Sequence, residues 1–151
     1  MEAFFSGIEP LAASNMLTWS RQLADSVRYT NAGLYHALAS AVGNRSSVAF
    51  SPVSGFHHAT PESGDGFCTF SGQVIASVRI FREDKLPGAY IDLDGHYGNS
   101  IEDSGGFVKE LNQAVPLGCM KYIGRPKGNS HDSQHQQEDG PLKKDHSYFP
   151  H

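Results

Sequence analysis

Apolar side chains recur at helical spacing through the first third of the chain. They approximate one face of a helix at Leu17, Leu23, Ala24, Val27, Leu34, Leu38 and Val42. This spacing predicts a helix that begins near Asn15, with Ser14 as its N-terminal cap. Gly33 weakens the middle of this helix, and Gly43 is placed to end it.

Two predicted strands and a second helix follow in alternation. Residues 47–50 and 88–91 are short, largely apolar runs, and each predicts a buried strand. Between them, one helical side is shared by Phe70, Val74, Ser77, Val78 and Phe81, which predicts a helix over residues 69–81. The order strand, loop, helix, strand is typical of an α/β protein with a parallel sheet.

The pattern of apolar positions becomes weaker after Asn99. Residues 101–103 and 107–111 predict short helical segments, and residues 114–117 predict a strand interrupted by Pro116. From Gly124 onward the chain is too polar to bury a core, so residues 124–151 are predicted to be a disordered tail. Residues 1–123 are then the single folded unit.

Composition narrows the classes of function. The chain has 151 residues, a formal charge of −4 and 38% hydrophobic residues. A negative charge does not favour direct nucleic-acid binding, and no run approaches the roughly 18 apolar residues of a membrane span. Cys68 and Cys119 do not suggest a disulfide framework, so we expect a reducing, cytoplasmic setting.

The first group of candidate functional residues lies where the second predicted strand ends. A glycine-punctuated loop there carries Asp92, Asp94 and His96. Asp94 and His96 are two positions apart, so on an extended backbone both side chains point to the same side and can bind one cation. The alternative is an ordinary polar turn, in which Asp and Gly are common.

Adjacent histidines form the second candidate. His57 and His58 lie in the motif Gly-Phe-His-His-Ala (residues 55–59), and Gly-Phe-Cys follows at residues 66–68. Taken alone, two histidines in a loop are more often a solvated pair than a catalytic one. Together with Asp-Leu-Asp-Gly-His-Tyr-Gly-Asn (residues 92–99), the motifs resemble the histone deacetylase family, which includes acetylpolyamine amidohydrolases. The resemblance covers residues 47–115.

The resemblance implies a zinc-dependent amidohydrolase. Asp94 and His96 are similar to two of the family's three zinc ligands, and His58 to the general base that takes a proton from the zinc-bound water. This chemistry is coherent on physical grounds, because zinc with an open position polarises an amide carbonyl and lowers the pKa of its water towards roughly 7. A neutral imidazole then removes the proton.

The resemblance also implies supporting roles. His57 is similar to an electrostatic neighbour of the base and would pair with Asp92, while Asn99 would orient the base. Gly66 and Phe67 are similar to part of the narrow channel for an acyl-lysine or acyl-polyamine arm. Asp92 is further similar to the side-chain ligand of a structural potassium site.

The implied fold is a partial three-layer arginase/deacetylase-like α/β fold with a parallel sheet, truncated and followed by the polar tail. Arginase-like enzymes of this fold bind two metals and carry a second carboxylate two residues after the histidine. Here that position is Gly98, which has no side chain to bind a metal. One catalytic metal is therefore favoured over two.

Two parts of the family's site have no match in this chain. The third zinc ligand is an aspartate far downstream, and a tyrosine in a glycine-rich loop stabilises the oxyanion; neither Tyr122 nor Tyr148 fits that loop. We therefore expect the chain alone to turn over an acetyl-lysine reporter close to background, because losing one oxyanion donor costs about 10²–10³ in rate.

Three functions remain open from the sequence. The first is zinc-dependent removal of acetyl groups from acetyl-lysine or acetylpolyamine, with an acyl amine as the partner and no membrane partner. The second is a non-catalytic remnant or a partner-dependent metal-binding fragment. The third is a structural α/β module in which the same residues are ordinary loop groups. An exposed sheet edge would favour association into homo-oligomers.

Overall fold

The computed structural model describes residues 2–44, 48–116 and 119–121. This part contains helices, one 3₁₀ turn and two short strands, in the order α1 (Glu2–Phe5), the 3₁₀ turn (Leu11–Ala13), α2 (Arg21–Gly43), α3 (Gly72–Asp84), β1 (Tyr90–Asp92), α4 (Ser100–Ser104), α5 (Leu111–Ala114) and β2 (Cys119–Lys121). The predicted tail and its boundary after residue 123 lie outside the described residues.

Helix α2 begins later than predicted and ends where predicted. Its cap is Ser20, whose hydroxyl oxygen accepts a hydrogen bond from the backbone N–H of Leu23 at 3.0 Å. Ser14 instead donates its hydroxyl to the carbonyl of Leu11 in the preceding turn, and its oxygen accepts from the backbone N–H of Gly64 at 2.9 Å rather than from a helix N–H. The helix runs to Gly43. None of the helices in the described part is both long and apolar enough to cross a bilayer.

Helix α3 carries the larger core of the described part. It spans Gly72–Asp84, so it begins and ends three residues later than predicted, and it stops where Lys85 adopts a left-handed conformation with φ of 58°. Val74 and Val78 on its inner side pack against α4 and α5 through Ile101, Leu111, Ala114 and Val115. The apolar spacing therefore located this helix correctly and misplaced its ends.

A second, smaller core joins the two ends of the N-terminal region. Phe4 of α1 packs against Ala24 and Val27 of α2, and Trp19 lies at its border. The Trp19 indole N–H donates to the carbonyl of Phe4 at 2.7 Å. An indole that packs against a core needs such a partner, so half-buried Trp19 packs against this core from the segment that precedes α2.

The strand predicted over residues 47–50 is wrong for its described part. Residues 48–50 have no regular structure, and Val48 and Phe50 are 97% and 87% exposed; residue 47 lies outside the described residues. A strand needs a neighbour for its backbone hydrogen bonds, and within the described ranges no strand lies beside this segment.

The strand predicted over residues 114–117 is also wrong where it is described. Ala114 ends α5, and the backbone N–H of Val115 donates to Leu111 at 2.7 Å, which continues a helical turn. Residue 117 is outside the described part. The chain becomes extended only at β2, which pairs in parallel with β1, Tyr90 opposite Cys119 and Asp92 opposite Lys121. Within the described residues the sheet consists of this one pair.

Candidate metal and imidazole site

The end of β1 meets the histidine loop. Asp92 Oδ2 lies 2.8 Å from His57 Nδ1, although the two residues are 35 positions apart. Both side chains are largely buried, with 15% and 19% exposed. The backbone N–H of Ser100 donates to the carbonyl of His57 at 3.0 Å, which joins the loop to the start of α4. The predicted contact between His57 and Asp92 is present.

Gly98 makes room for this pair. A Cβ atom at position 98 would overlap Asp92 Oδ2 and would lie 3.1 Å from His57 Nδ1. Real Cβ atoms do not tolerate such an overlap with a packed side chain. The sequence indicated only that Gly98 lacks a metal-binding group, and the structure shows that it also lets Asp92 approach His57.

His58 has an amide partner. Its ring centroid lies 4.1 Å from that of His57, and its Nδ1 lies 3.1 Å from Asn99 Oδ1. An amide oxygen only accepts hydrogen bonds, so Nδ1 carries the hydrogen and Nε2 keeps a lone pair in the neutral ring. Gly66 packs against the other edge of this ring, since a Cβ there would lie 2.5 Å from His58 Cδ2.

Asp94 and His96 lie on the exposed side of the same loop. Asp94 Oδ1 accepts from the backbone N–H of His96 at 2.8 Å and lies 2.9 Å from His96 Nδ1. The His96 backbone N–H is the main cause that lowers the pKa of the Asp94 carboxyl, and the His96 side chain adds to it. The His96 ring also meets the edge of the His58 ring, with centroids 6.1 Å apart.

This donor pair fits part of a zinc site. A carboxylate oxygen and an imidazole nitrogen are both zinc ligands, and here they are adjacent and half or more exposed, 50% for Asp94 and 69% for His96. Catalytic zinc sites use three protein ligands. Across residues 2–44, 48–116 and 119–121, no set of three His, Cys, Asp or Glu side chains converges to hold a metal.

Phe67 follows Gly66 in the chain and adopts an uncommon conformation. Its φ is 64° and the residue is 63% exposed, whereas residues other than glycine rarely adopt positive φ. Its backbone N–H donates to the carbonyl of Asn15 at 3.0 Å. The buried Asn15 side chain in turn donates to the Thr69 hydroxyl at 2.8 Å. Such strain persists when the surroundings enforce it, so Asn15 supports the loop that presents Phe67.

Sequence reasoning missed Asn15 and Asp103. Asn15 was interpreted as the first residue of a helix, and no spacing signal links it to Phe67 across 52 positions. Asp103 accepts a hydrogen bond from the Asn99 amide nitrogen. Its spacing of four from Asn99 on a helix was the available signal, but a charge at that spacing is most often a solvated surface group.

Comparison with known proteins matches the part of the chain that contains these site residues. A sequence profile described as the histone deacetylase domain matches residues 5–107. Histone deacetylase 8 of Xenopus tropicalis is 27% identical over 70 residues, which cover 46% of this chain and 19% of the relative. Type-1 histone deacetylase 1 of Dictyostelium discoideum is 27% identical over 104 residues, 63% of this chain and 21% of the relative. The chain thus spans about a fifth of the length of these curated relatives. No solved structure matches the chain significantly.

Proposed function

The chain belongs to the histone deacetylase family, and we propose that it provides the N-terminal part of a zinc-dependent amidohydrolase site that removes acetyl groups from acetyl-lysine or acetylpolyamine. One observation carries the proposal: the Asp94–His96 donor pair lies against an imidazole, His58, whose Nδ1 is held by an amide. A cation site and a base with a defined lone pair are the two functions that amide hydrolysis needs side by side.

Each site residue then has a distinct task. Asp94 and His96 would hold zinc, which when bound supplies Lewis-acid polarisation of the acyl carbonyl. His58 would accept a proton at Nε2, because Nδ1 is committed to Asn99. Asp92 keeps the neighbouring ring of His57 in place by its 2.8 Å contact.

The loop that holds Gly66 and Phe67 would line the path to this site. Gly66 lies directly against the His58 ring, so the loop borders the base. Phe67 is an exposed residue, and an apolar ring near a reactive centre suits the aliphatic arm of an acyl-lysine or acyl-polyamine. We therefore assign these two residues to the substrate channel.

Family membership implies the arginase/deacetylase fold. Within it, we place β1 and β2 in the parallel sheet of the three-layer arrangement, which is supported by their parallel pairing. A structural potassium ion at Asp92 stays a prediction. A reducing, cytoplasmic setting is supported by Cys68, which is free and buried, and burial raises the pKa of its thiol.

A metal-binding fragment that depends on a partner is the second candidate. The observation that favours it is the donor count, because within the described part of the chain no third His, Cys, Asp or Glu converges with Asp94 and His96 to hold a metal. Another chain, or a second copy of this one, would then supply the third ligand and the oxyanion donor. Both candidates share the same pair of zinc ligands.

The test is binding of a peptide in which a lysine-derived hydroxamate replaces the acetamide, so that it mimics the substrate and chelates zinc through two oxygens. We expect zinc to strengthen binding at least tenfold, and Asp94→Ala to remove that gain, since a hydroxamate gains its affinity from the metal. Fluorescence anisotropy of a labelled peptide measures both quantities. Asp84→Ala, which removes an exposed carboxylate at the end of α3, is the matched control. Peptide affinity that does not respond to zinc would contradict the proposal.

A further inference from the structure

We infer that Asp103 is a positioning residue for His58: it sets the direction of the Asn99 amide and thereby decides which His58 ring nitrogen carries the hydrogen. Asp103 accepts from Asn99 Nδ2, and Asn99 Oδ1 faces His58 Nδ1 at 3.1 Å. Asp103 itself does not touch the imidazole. The placement stands on these contacts alone, while its importance for catalysis rests on the proposed function.

Helix α4 brings the two residues together. Asn99 is the residue before the helix and Asp103 lies four positions on, and the backbone N–H of Asp103 donates to the carbonyl of Asn99 at 2.9 Å. Side chains four apart on a helix share one side. The Asn99 amide is therefore held at both ends, by a carboxylate at its nitrogen and by an imidazole at its oxygen.

A carboxylate partner makes this orientation unique. The oxygen and nitrogen ends of an amide are nearly equal in shape, so packing alone does not distinguish the two orientations. An ionised carboxylate only accepts hydrogen bonds, so only the NH₂ end of Asn99 can face Asp103. The amide oxygen must then face His58.

The orientation of Asn99 determines the tautomer of His58. Facing an amide oxygen, His58 donates from Nδ1, and Nε2 of the neutral ring keeps the lone pair that a base requires. With the amide reversed, an NH₂ group would face Nδ1, and the hydrogen would move to Nε2. That tautomer has no lone pair at Nε2, so Asp103 selects the basic nitrogen through Asn99.

The test measures which His58 tautomer is present, by long-range ¹H–¹⁵N NMR on the full chain. A pH of about 9 is used because it lies well above the ordinary titration range of imidazole. His58→Gln assigns the signals. In Asp103→Ala the ratio of Nδ1–H to Nε2–H should fall by more than about tenfold, the effect on an equilibrium of one hydrogen bond to a charged group. Asp103→Asn can donate as well as accept, so it no longer excludes the reversed amide, and the ratio should fall there too.

Two further variants complete the design. Asp103→Lys replaces an acceptor with a donor and should reverse the amide, so Nε2–H should predominate even if the alanine variant fails to fold. Glu102→Ala removes a different carboxylate of α4, one that accepts from the Tyr97 hydroxyl. It should leave the ratio unchanged. An unaltered ratio in both Asp103→Ala and Asp103→Lys would overturn the inference, as would an equal shift in Glu102→Ala. Failure of zinc or peptide binding would refute the proposed function and leave this result untouched.

Discussion

Replacing both Asp94 and His96 with alanine is expected to lower zinc affinity by more than about 100-fold. Loss of an outer partner of a metal ligand already costs about 10–100-fold, and this change removes the ligands themselves. Both donor atoms lie 2.9 Å apart on one exposed loop, and no larger set of donors converges in the described part of the chain. Calorimetric titration with zinc against a competing chelator measures the loss.

A matched pair of substitutions elsewhere in the chain distinguishes loss of the metal site from a nonspecific effect of lost charge. Asp84→Ala with His36→Ala removes the same two residue types from α3 and α2, and zinc affinity should stay within twofold of the unaltered chain. The competing explanation is adventitious binding at tail histidines such as His131 and His135. Equal zinc affinity in the unaltered chain and in the Asp94→Ala, His96→Ala variant would favour that explanation.

Gly98→Ala is expected to lower the free energy of unfolding by about 1–3 kcal/mol, the usual cost of forcing an extra carbon into a packed position. The added Cβ would overlap Asp92 Oδ2 and crowd His57 Nδ1, and both side chains are largely buried. The pair must therefore separate or shift. Urea denaturation followed by circular dichroism gives the change in stability.

Gly95→Ala is the control for this substitution. It lies in the same loop, is exposed, and has no atom within 4 Å of the position that its Cβ would occupy. Its stability should change by less than about 0.5 kcal/mol, as expected of a surface substitution. Equal stabilities of the two variants would show that Gly98 does not pack against Asp92 and His57 as described.

The site was more predictable than the fold around it. The contacts of His57 with Asp92 and of His58 with Asn99 were expected from motifs that lie far apart in sequence, and both are present. Side chains that act in one reaction must lie close together. Their contacts can therefore be predicted even where the exact ends of the helices and strands cannot. The catalytic, channel and potassium roles of these residues stay predictions.

Boundaries of elements depended on contacts that no local pattern reveals. Ser14 and Ser20 are both suitable caps by residue type, but Ser14 bonds instead to Leu11 in the preceding turn and to the distant Gly64. The segment over residues 48–50 has the residues of a strand, but β structure forms only where a second strand offers its backbone. Local propensity therefore located helix α3 by its apolar face and failed for this segment.

The most direct measurement is the position of zinc in crystals of the zinc-loaded chain, located by anomalous diffraction at the zinc absorption edge. The peak should lie within bonding distance, roughly 2.0–2.2 Å, of an Asp94 carboxylate oxygen and a His96 ring nitrogen. His58 should border it, with Asn99 still facing Nδ1. A zinc peak at other histidines, with Asp94 and His96 free of metal, would contradict the assignment of this loop as the metal site.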